Sequence, residues 1–196
     1  MLEAISPIQQ QREDTQFVVV VAPNRDPDEA KQIVALHARP SWSSDSLRII
    51  HHQTREALAA CDVAAIASGT ATLEAALLGT PMVIVYKEST VNWHALGSLI
   101  TTEYFGLVNL IAGRRLATEL IQDDFTGETL ARELISLLDP DRNLAMRSEL
   151  KEVVKKIGEP GASHRAAQVI IEFINKNVSE ARSRGPQPGS PAGVGR

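Results

Sequence analysis

Residues 65–74 read Ala-Ile-Ala-Ser-Gly-Thr-Ala-Thr-Leu-Glu, and this stretch says more about the fold than any other part of the chain. The apolar residues 63–67 predict a strand that leads through a turn of small residues directly into a helix. The first amides of a helix have no partner within the helix, and the positive end of the helix dipole lies there. A junction of this kind can therefore bind an anion such as a diphosphate.

The side chains of this turn suit a nucleotide. Ser68, Gly69 and Thr70 carry no bulk that would cover the helix amides, and the two hydroxyls can add hydrogen bonds. Glu74 lies one turn into the helix, about 6 Å beyond Thr70 at roughly 1.5 Å per residue, where its carboxylate could accept both hydroxyls of a ribose. A simpler interpretation stays open at this point, because Ser and Thr often do no more than cap a helix.

Short apolar runs alternate with amphipathic segments through the first half of the chain. This β-α-β-α-β-α-β order predicts a Rossmann-like parallel sheet with helices on both faces. The first strand is a continuous β-branched run, which is typical of a strand buried on both faces. Ligands of such sheets bind at the carboxyl ends of the strands, where the Ser-Gly-Thr turn falls. The predicted strands cover residues 17–22, 47–50, 63–67 and 82–86, and the first two helices cover 27–37 and 54–60.

The second half of the chain has a helical pattern. One helix is predicted to start near Thr126, a second to end at Gly158, and a third to be capped by Ser163. The third helix should bury one apolar row, made of Ala166, Ile170, Phe173 and Ile174. The residues after it are rich in Pro, Gly and Ser and cannot bury a core. We therefore predict one domain over residues 1–178 and a disordered tail over 179–196.

Composition excludes several classes of function. The formal net charge of −4, with no basic stripe, argues against a nucleic-acid partner. Cys61 is the single cysteine, so no internal disulfide forms, and we expect it to be a small core residue. No apolar run approaches the roughly 20 residues that span a bilayer, and the first residues do not form a secretory signal. These features predict a cytosolic protein.

Cofactor and metal motifs are missing from the sequence. Neither the G-x-G-x-x-G pattern of dinucleotide folds nor the G-x-x-x-x-G-K-[ST] pattern of P-loops occurs. The histidines are scattered without the spacing of metal ligands. We expect no cofactor and no metal.

Four blocks of sequence stand out for their order and spacing. They are Ala-Ser-Gly-Thr-Ala-Thr-Leu-Glu-Ala-Ala-Leu-Leu-Gly-Thr-Pro-Met-Val-Ile-Val-Tyr-Lys at 67–87, Asn-Leu-Ile-Ala-Gly-Arg at 109–114, Glu-Leu-Ile-Gln-Asp at 119–123 and Pro-Gly-Ala-Ser-His-Arg-Ala-Ala at 160–167. Together they resemble the lipid-A-disaccharide synthases. The resemblance extends over about residues 1–176 and is most specific in its middle.

The resemblance implies a glycosyltransferase fold of the B type, of which this chain matches only the C-terminal, nucleotide-sugar-binding half. The family joins UDP-2,3-diacylglucosamine to 2,3-diacylglucosamine 1-phosphate (lipid X), which gives the lipid A disaccharide phosphate and UDP. It works at the cytosolic face of the inner membrane, so peripheral membrane contact is implied as well. Carried over by position, Ser68, Gly69 and Thr70 would contact the donor diphosphate, and Glu74 would contact the ribose.

Three more residues of the matching blocks would line the donor side of the cleft. They are Asn109, Arg114 and Gln122, and Arg114 suits a phosphate because a guanidinium can donate to two oxygens at once. Each has a simpler alternative, since Asn109 could only stabilise a turn and Gln122 could lie on the surface. The family usually has proline where Val108 stands, so the loop before Asn109 is expected to be less rigid here.

The family's Pro-Gly-Ser-Arg phosphate loop and its N-terminal domain, with the catalytic acid and most acceptor contacts, would precede Met1. On the resemblance, we expect a fragment that binds donor weakly and transfers no sugar alone. An apolar row formed by Trp93, Leu96, Leu99 and Ile100 should pack in the core or at a domain interface. If it faced an absent domain, it would favour association into a homo-oligomer.

Other functions remain open from the sequence alone. A related B-type enzyme acting on UDP-N-acetylglucosamine, such as a 2-epimerase or the peptidoglycan glycosyltransferase, is the nearest alternative. A non-catalytic nucleotide-binding or assembly module is another. The Asn-Leu-Ile-Ala-Gly-Arg block favours the lipid-A-disaccharide synthases over the related B-type enzymes, whereas the missing upstream half keeps the non-catalytic module open.

Overall fold

The computed structural model describes residues 1–39, 42, 46–89 and 103–183, with side chains as far as residue 178. The chain divides into two compact units, Met1–Ile157 and a second that begins at Gly158. The apolar row predicted over 93–100 lies outside the described residues, and so do residues 184–196 of the predicted tail.

Thirteen helices and strands are described in the two units, besides short 3-10 turns at Leu2–Ala4 and Gln122–Asp124. The strands are β1 (Phe17–Val21), β2 (Leu47–His51), β3 (Ala64–Ala67), β4 (Met82–Tyr86) and β5 (Glu119–Ile121). The helices are α1 (Ile5–Gln11), α2 (Pro27–His37), α3 (Thr54–Ala60), α4 (Ala71–Leu78), α5 (Leu107–Ala112), α6 (Gly127–Leu137), α7 (Pro140–Ile157) and α8 (Ala162–Ser183).

All recorded strand pairs are parallel, which confirms the predicted α/β class. The described strands form two sheets rather than the expected single sheet, because β1 pairs with β2 and with no other described strand, whereas β3, β4 and β5 pair in that order. The register aligns Ala67 with Val85 and Tyr86 with Ile121, so β3, β4 and β5 end at the same edge. The carboxyl edge expected to hold the ligand is therefore formed by these three strands.

β4 is the strand buried on both faces. Met82 and Ile84 point into one apolar cluster, which includes residues of α4, α5 and α7. Val83 and Val85 alternate with them and point into a second cluster, which includes residues of α1 and α6. The three-stranded sheet is thus covered by helices on both faces.

The predicted burial of β1 is wrong. Val21 is its one buried residue, and Val18 is 41% exposed. A continuous β-branched run fits a buried strand, but β1 lies in a sheet of two strands and so has less structure around it.

α2 has the predicted bounds but not the burial that its apolar residues suggest. Asp26 caps it by accepting a hydrogen bond from the Asp28 amide at 2.9 Å, and Pro27 is its first residue, so its start is fixed locally. No side chain of this helix is buried, and Leu36 is 83% exposed. The cap decides where the helix begins, whereas burial depends on what packs against it.

The third helix of the second half also differs from its prediction. α8 begins at Ala162, so Ser163 lies inside the helix and does not cap it, and it continues to Ser183. The row expected to be buried is exposed, with Phe173 at 67%. Among the described residues, no helix is both long enough and apolar enough to cross a membrane.

Candidate functional site

Three chain segments leave the three-stranded sheet at its carboxyl edge. Ser68 follows β3, Lys87 follows β4 and Gln122 follows β5, and the parallel register places the ends of these strands side by side. This edge is where parallel α/β sheets bind their ligands.

The N-terminus of α4 opens at this edge. Its first backbone hydrogen bonds run from the Thr72 amide to the Gly69 carbonyl at 3.2 Å and from the Leu73 amide to the Thr70 carbonyl at 2.9 Å. In the part of the chain that the structure describes, the amides of Gly69, Thr70 and Ala71 donate no hydrogen bond. Three N–H groups at the positive end of the helix are therefore left for an anion.

The side chain of Thr70 does not cap the helix. Thr70 occupies the N-cap position without a side-chain capping bond, and it is exposed. The alternative in which the hydroxyls of the turn only cap α4 therefore does not describe this residue. Its hydroxyl is left to bind a ligand.

Gly69 gives this opening its shape. Its φ is +149°, a conformation that residues with a side chain rarely adopt, and among the described residues, apart from its two chain neighbours, no atom lies within 4 Å of the position its Cβ would take. Open space therefore borders the free amides, and any other residue would strain the turn and partly fill that space.

Ser68 is held from two sides. Its amide donates to the Val85 carbonyl at 2.9 Å, and its hydroxyl donates to the Phe105 carbonyl at 2.5 Å. Because its hydroxyl donates to the Phe105 carbonyl, Ser68 anchors the turn to the neighbouring loop and does not direct that donor at a ligand.

Glu74 lies one turn inside α4 and is half-buried. Its carboxylate makes no hydrogen bond or ion pair with the described residues. A carboxylate with this freedom, one turn from three free amides, can accept from the hydroxyls of a ligand.

Asn109 is fully buried within the protein. Its side-chain amide donates to the Ala117 carbonyl at 2.8 Å and to Glu119 Oε1 at 2.9 Å, and its Oδ1 accepts from the Ala117 amide at 2.8 Å. With 0% exposure, its side chain stabilises the loop between α5 and β5. This is the turn-stabilising role that the sequence left open.

Gln122 joins the loops that follow β4 and β5. Its Oε1 accepts from the Glu88 amide at 2.6 Å, and its Nε2 donates to the Glu88 carbonyl at 3.3 Å. Its φ of +52° is uncommon for a residue with a side chain, so the structure holds it in a constrained conformation.

Arg114 is exposed and lies just after α5. Its guanidinium pairs with Glu149 of α7 at 3.1 Å, and more than half of its side chain is open to solvent. An ion pair this exposed is worth only about 0–1 kcal/mol, so the guanidinium can exchange Glu149 for another anion.

Glu119 is the residue that sequence reasoning missed. It is only 7% exposed, and its carboxylate accepts hydrogen bonds from the amides of Phe105 and Gly106 and from the Asn109 side chain. A charged residue at the head of the short apolar run Glu-Leu-Ile was the one signal that could have revealed it, because a buried charge needs partners.

The sequence profile of the family described as lipid-A-disaccharide synthetase matches residues 1–173. The chain belongs to the lipid-A-disaccharide synthetase family.

Several curated members of this family are similar to the chain. A lipid-A-disaccharide synthase of Syntrophus aciditrophicus is 40% identical over 146 residues, which are 70% of this chain and 38% of the relative. A lipid-A-disaccharide synthase of Solibacter usitatus is 44% identical over 135 residues, 68% of this chain and 35% of that relative. One of Anaeromyxobacter dehalogenans is 37% identical over 172 residues, 87% of this chain and 44% of the relative. The chain thus spans less than half the length of these relatives.

Two of the blocks that resemble the lipid-A-disaccharide synthetase family contribute strands to the three-stranded sheet. The first block supplies the end of β3, the open turn, α4 and β4, and the third block supplies β5. Of the predicted residues, Ser68, Gly69, Thr70 and Glu74 lie together at the start of α4. The others hold neighbouring loops in place or pair on the surface.

Proposed function

We propose that this chain is the donor-binding half of a lipid-A-disaccharide synthase. In this proposal it holds UDP-2,3-diacylglucosamine while the sugar is transferred to lipid X, which gives the lipid A disaccharide phosphate and UDP. The observation that carries the proposal is the open N-terminus of α4, where three amides donate no hydrogen bond to the described residues and the Cβ position of Gly69 is open. This site lies at the carboxyl edge of a parallel sheet in a chain of the matching family.

The diphosphate of the donor would bind at this N-terminus. The amides of Gly69, Thr70 and Ala71, with the Thr70 hydroxyl, offer donors to phosphate oxygens. Negative charge grows on the diphosphate as UDP leaves, and fixed donors at a helix N-terminus stabilise that charge without rearranging. Arg114 would add a positive charge to the site by exchanging Glu149, its exposed partner on α7, for a phosphate.

The ribose would bind deeper, against Glu74. Both ribose hydroxyls are donors, and a half-buried carboxylate with no protein partner in the described structure is a suitable acceptor. Hydrogen bonds to a charged acceptor are typically worth about 1.5–3 kcal/mol.

Asn109 and Gln122 take indirect parts in this proposal. Direct donor contact by the Asn109 side chain would require it to leave Ala117 and Glu119, which would unpair buried polar groups. Gln122 would likewise have to release Glu88. We therefore assign to both the task of holding the loops that border the site.

The pairing of the strands supports the view of this chain as one half of an enzyme. In the doubly wound order 3-2-1-4-5-6, the first strand lies between the two halves of the sheet. Among the described strands, β1 and β3 each have one neighbour and do not pair with each other, as would be expected if a strand of the whole enzyme lay between them. The catalytic group and the acceptor contacts would then belong to the other half, in an enzyme of the cytosol that contacts the inner membrane.

Titration calorimetry with UDP tests the donor site. We expect the chain to bind UDP and Glu74→Ala to weaken binding about tenfold, the equivalent of about 1.4 kcal/mol. Glu128→Ala is the matched control, because Glu128 is an exposed carboxylate in the first turn of α6. Failure of the unsubstituted chain to bind UDP, or an equal loss in both variants, would refute the assignment.

A further inference from the structure

A buried carboxylate lies beneath the loop that precedes α5. Glu119 is the first residue of β5, and the register places it beside Ile84 of β4. A buried charge is costly unless hydrogen bonds compensate it. Glu119 Oε1 accepts from the Gly106 amide at 2.8 Å, the Asn109 side chain at 2.9 Å and the Phe105 amide at 3.1 Å. Its charge is thus used to hold backbone amides in place.

The loop fits closely over this carboxylate. A Cβ on Gly106 would lie 2.2 Å from Ile84 Cδ1 and 3.3 Å from Glu119 Oε1, so a larger residue would push the loop away from the sheet. Gly106 is also the N-cap of α5 and gives it no side-chain cap. The carboxylate of Glu119 accepts instead from the two amides that come directly before the helix, those of Phe105 and Gly106.

The same loop reaches the proposed donor site. The amide of Phe105 donates to Glu119, and its carbonyl accepts from the hydroxyl of Ser68. The Phe105 ring lies beside that of Tyr86, with ring centroids 5.6 Å apart. A single residue therefore connects the buried carboxylate with the turn that precedes α4.

We propose that Glu119 is a positioning residue of the donor site. It fixes Phe105, Phe105 fixes Ser68, and Ser68 keeps the amides of the following turn directed at the diphosphate. This inference rests on the proposed function, since it concerns the same site. A carboxylate is suited to the task because it has acceptors only, whereas a glutamine would present an amide donor to the surrounding N–H groups.

The test is a double-mutant cycle for UDP binding, measured by calorimetry. Glu119→Ala and Ser68→Ala remove the two ends of the same connection, so each should weaken UDP binding about tenfold and the double variant little more than either one. A role confined to general stability would instead give additive losses. Gly106→Ala keeps the carboxylate but displaces the loop, and it should also combine with Ser68→Ala non-additively.

Glu133→Ala is the matched control. Glu133 accepts a hydrogen bond from Thr118 next to β5, at 3.3 Å, but makes no recorded contact with the loop that precedes α5. We expect its UDP affinity to equal that of the unsubstituted chain. Additive losses in the cycle, or unchanged binding by Glu119→Ala, would overturn the inference while leaving the donor site intact. Absence of UDP binding by the unsubstituted chain would overturn the proposed function and this inference with it.

Discussion

A substitution at Gly69 should affect both the stability of the fold and the binding of the ligand. Gly69→Ala should lower the free energy of unfolding by about 1–2 kcal/mol, because a side chain disfavours its φ of +149°. The added methyl group would also enter the space in front of the free amides, so UDP binding should weaken about tenfold. Chemical denaturation and calorimetry measure the two effects separately.

Gly79 provides the control for this prediction at the opposite end of α4. Its φ is +71° and its Cβ position is also open, so Gly79→Ala should lose a similar amount of stability. It lies after the helix C-terminus and should leave UDP affinity unchanged. A matching loss of UDP affinity in both variants would show that strain alone, and not the blocked space, reduces binding.

The reactivity of the Cys61 thiol can also be predicted at the scale of single residues. Partial burial, and then the negative charge of Asp62, raise the pKa of its thiol. A raised pKa leaves less thiolate at a given pH, so Cys61 should react more slowly with a disulfide reagent than free cysteine between about pH 7 and 9. Reaction rates should rise to the value of free cysteine on unfolding in urea. A folded chain that reacts as fast as free cysteine would contradict the predicted shift.

Elements begin and end where local signals place them. Asp26 and Pro27 start α2, and Gly79 with Pro81 ends α4, as the sequence predicts. Burial was harder to predict, since the apolar residues of α2 and α8 lie exposed. Hydrophobic periodicity shows which face of a helix could be buried, but the partner that covers it is not encoded in the same segment.

The start of α6 offers a test at the scale of one element. Thr126 and Thr129 form a reciprocal cap, in which each side chain accepts a hydrogen bond from the other residue's amide, at 3.1 and 3.0 Å. Thr126→Ala removes one of these bonds and should lower the free energy of unfolding by about 1 kcal/mol. Thr126→Ser keeps the hydroxyl and should recover most of that loss in urea unfolding. Equal losses in both variants would show that the hydroxyl does not stabilise the helix.

The long-range hydrogen bonds of the site could not be predicted from the sequence. The open turn before α4 is continuous in sequence, so its strand, small residues and helix could be predicted together. Glu119, by contrast, gains its role from amides 13 and 14 residues earlier and through Phe105 from Ser68, 37 residues before Phe105. A local sequence pattern does not specify these hydrogen bonds, because they depend on how three separate segments pack against one another.

At the scale of the whole molecule, we expect the division of the strands into two sheets to determine which strands open at the lowest free energy. The sequence predicted parallel strands correctly, but a strand pattern does not say which strands pair, so the separation of β1 and β2 from the other three was missed. β4 has partners on both sides and buried residues on both faces, whereas β1 has one partner and an exposed Val18. Strands with fewer partners open at lower free energy.

Hydrogen exchange should reveal this difference directly. We expect the amides of β4 to exchange most slowly, close to the rate set by global unfolding, because freeing them disrupts both apolar clusters. The amides of β1 and β2 should exchange faster through local opening of the two-stranded sheet. A destabilising change in β4, such as Ile84→Ala, should accelerate exchange in β3 and β5 more than in β1. Equal protection of β1 and β4 would contradict this order, since it would require the two sheets to unfold as one cooperative structure.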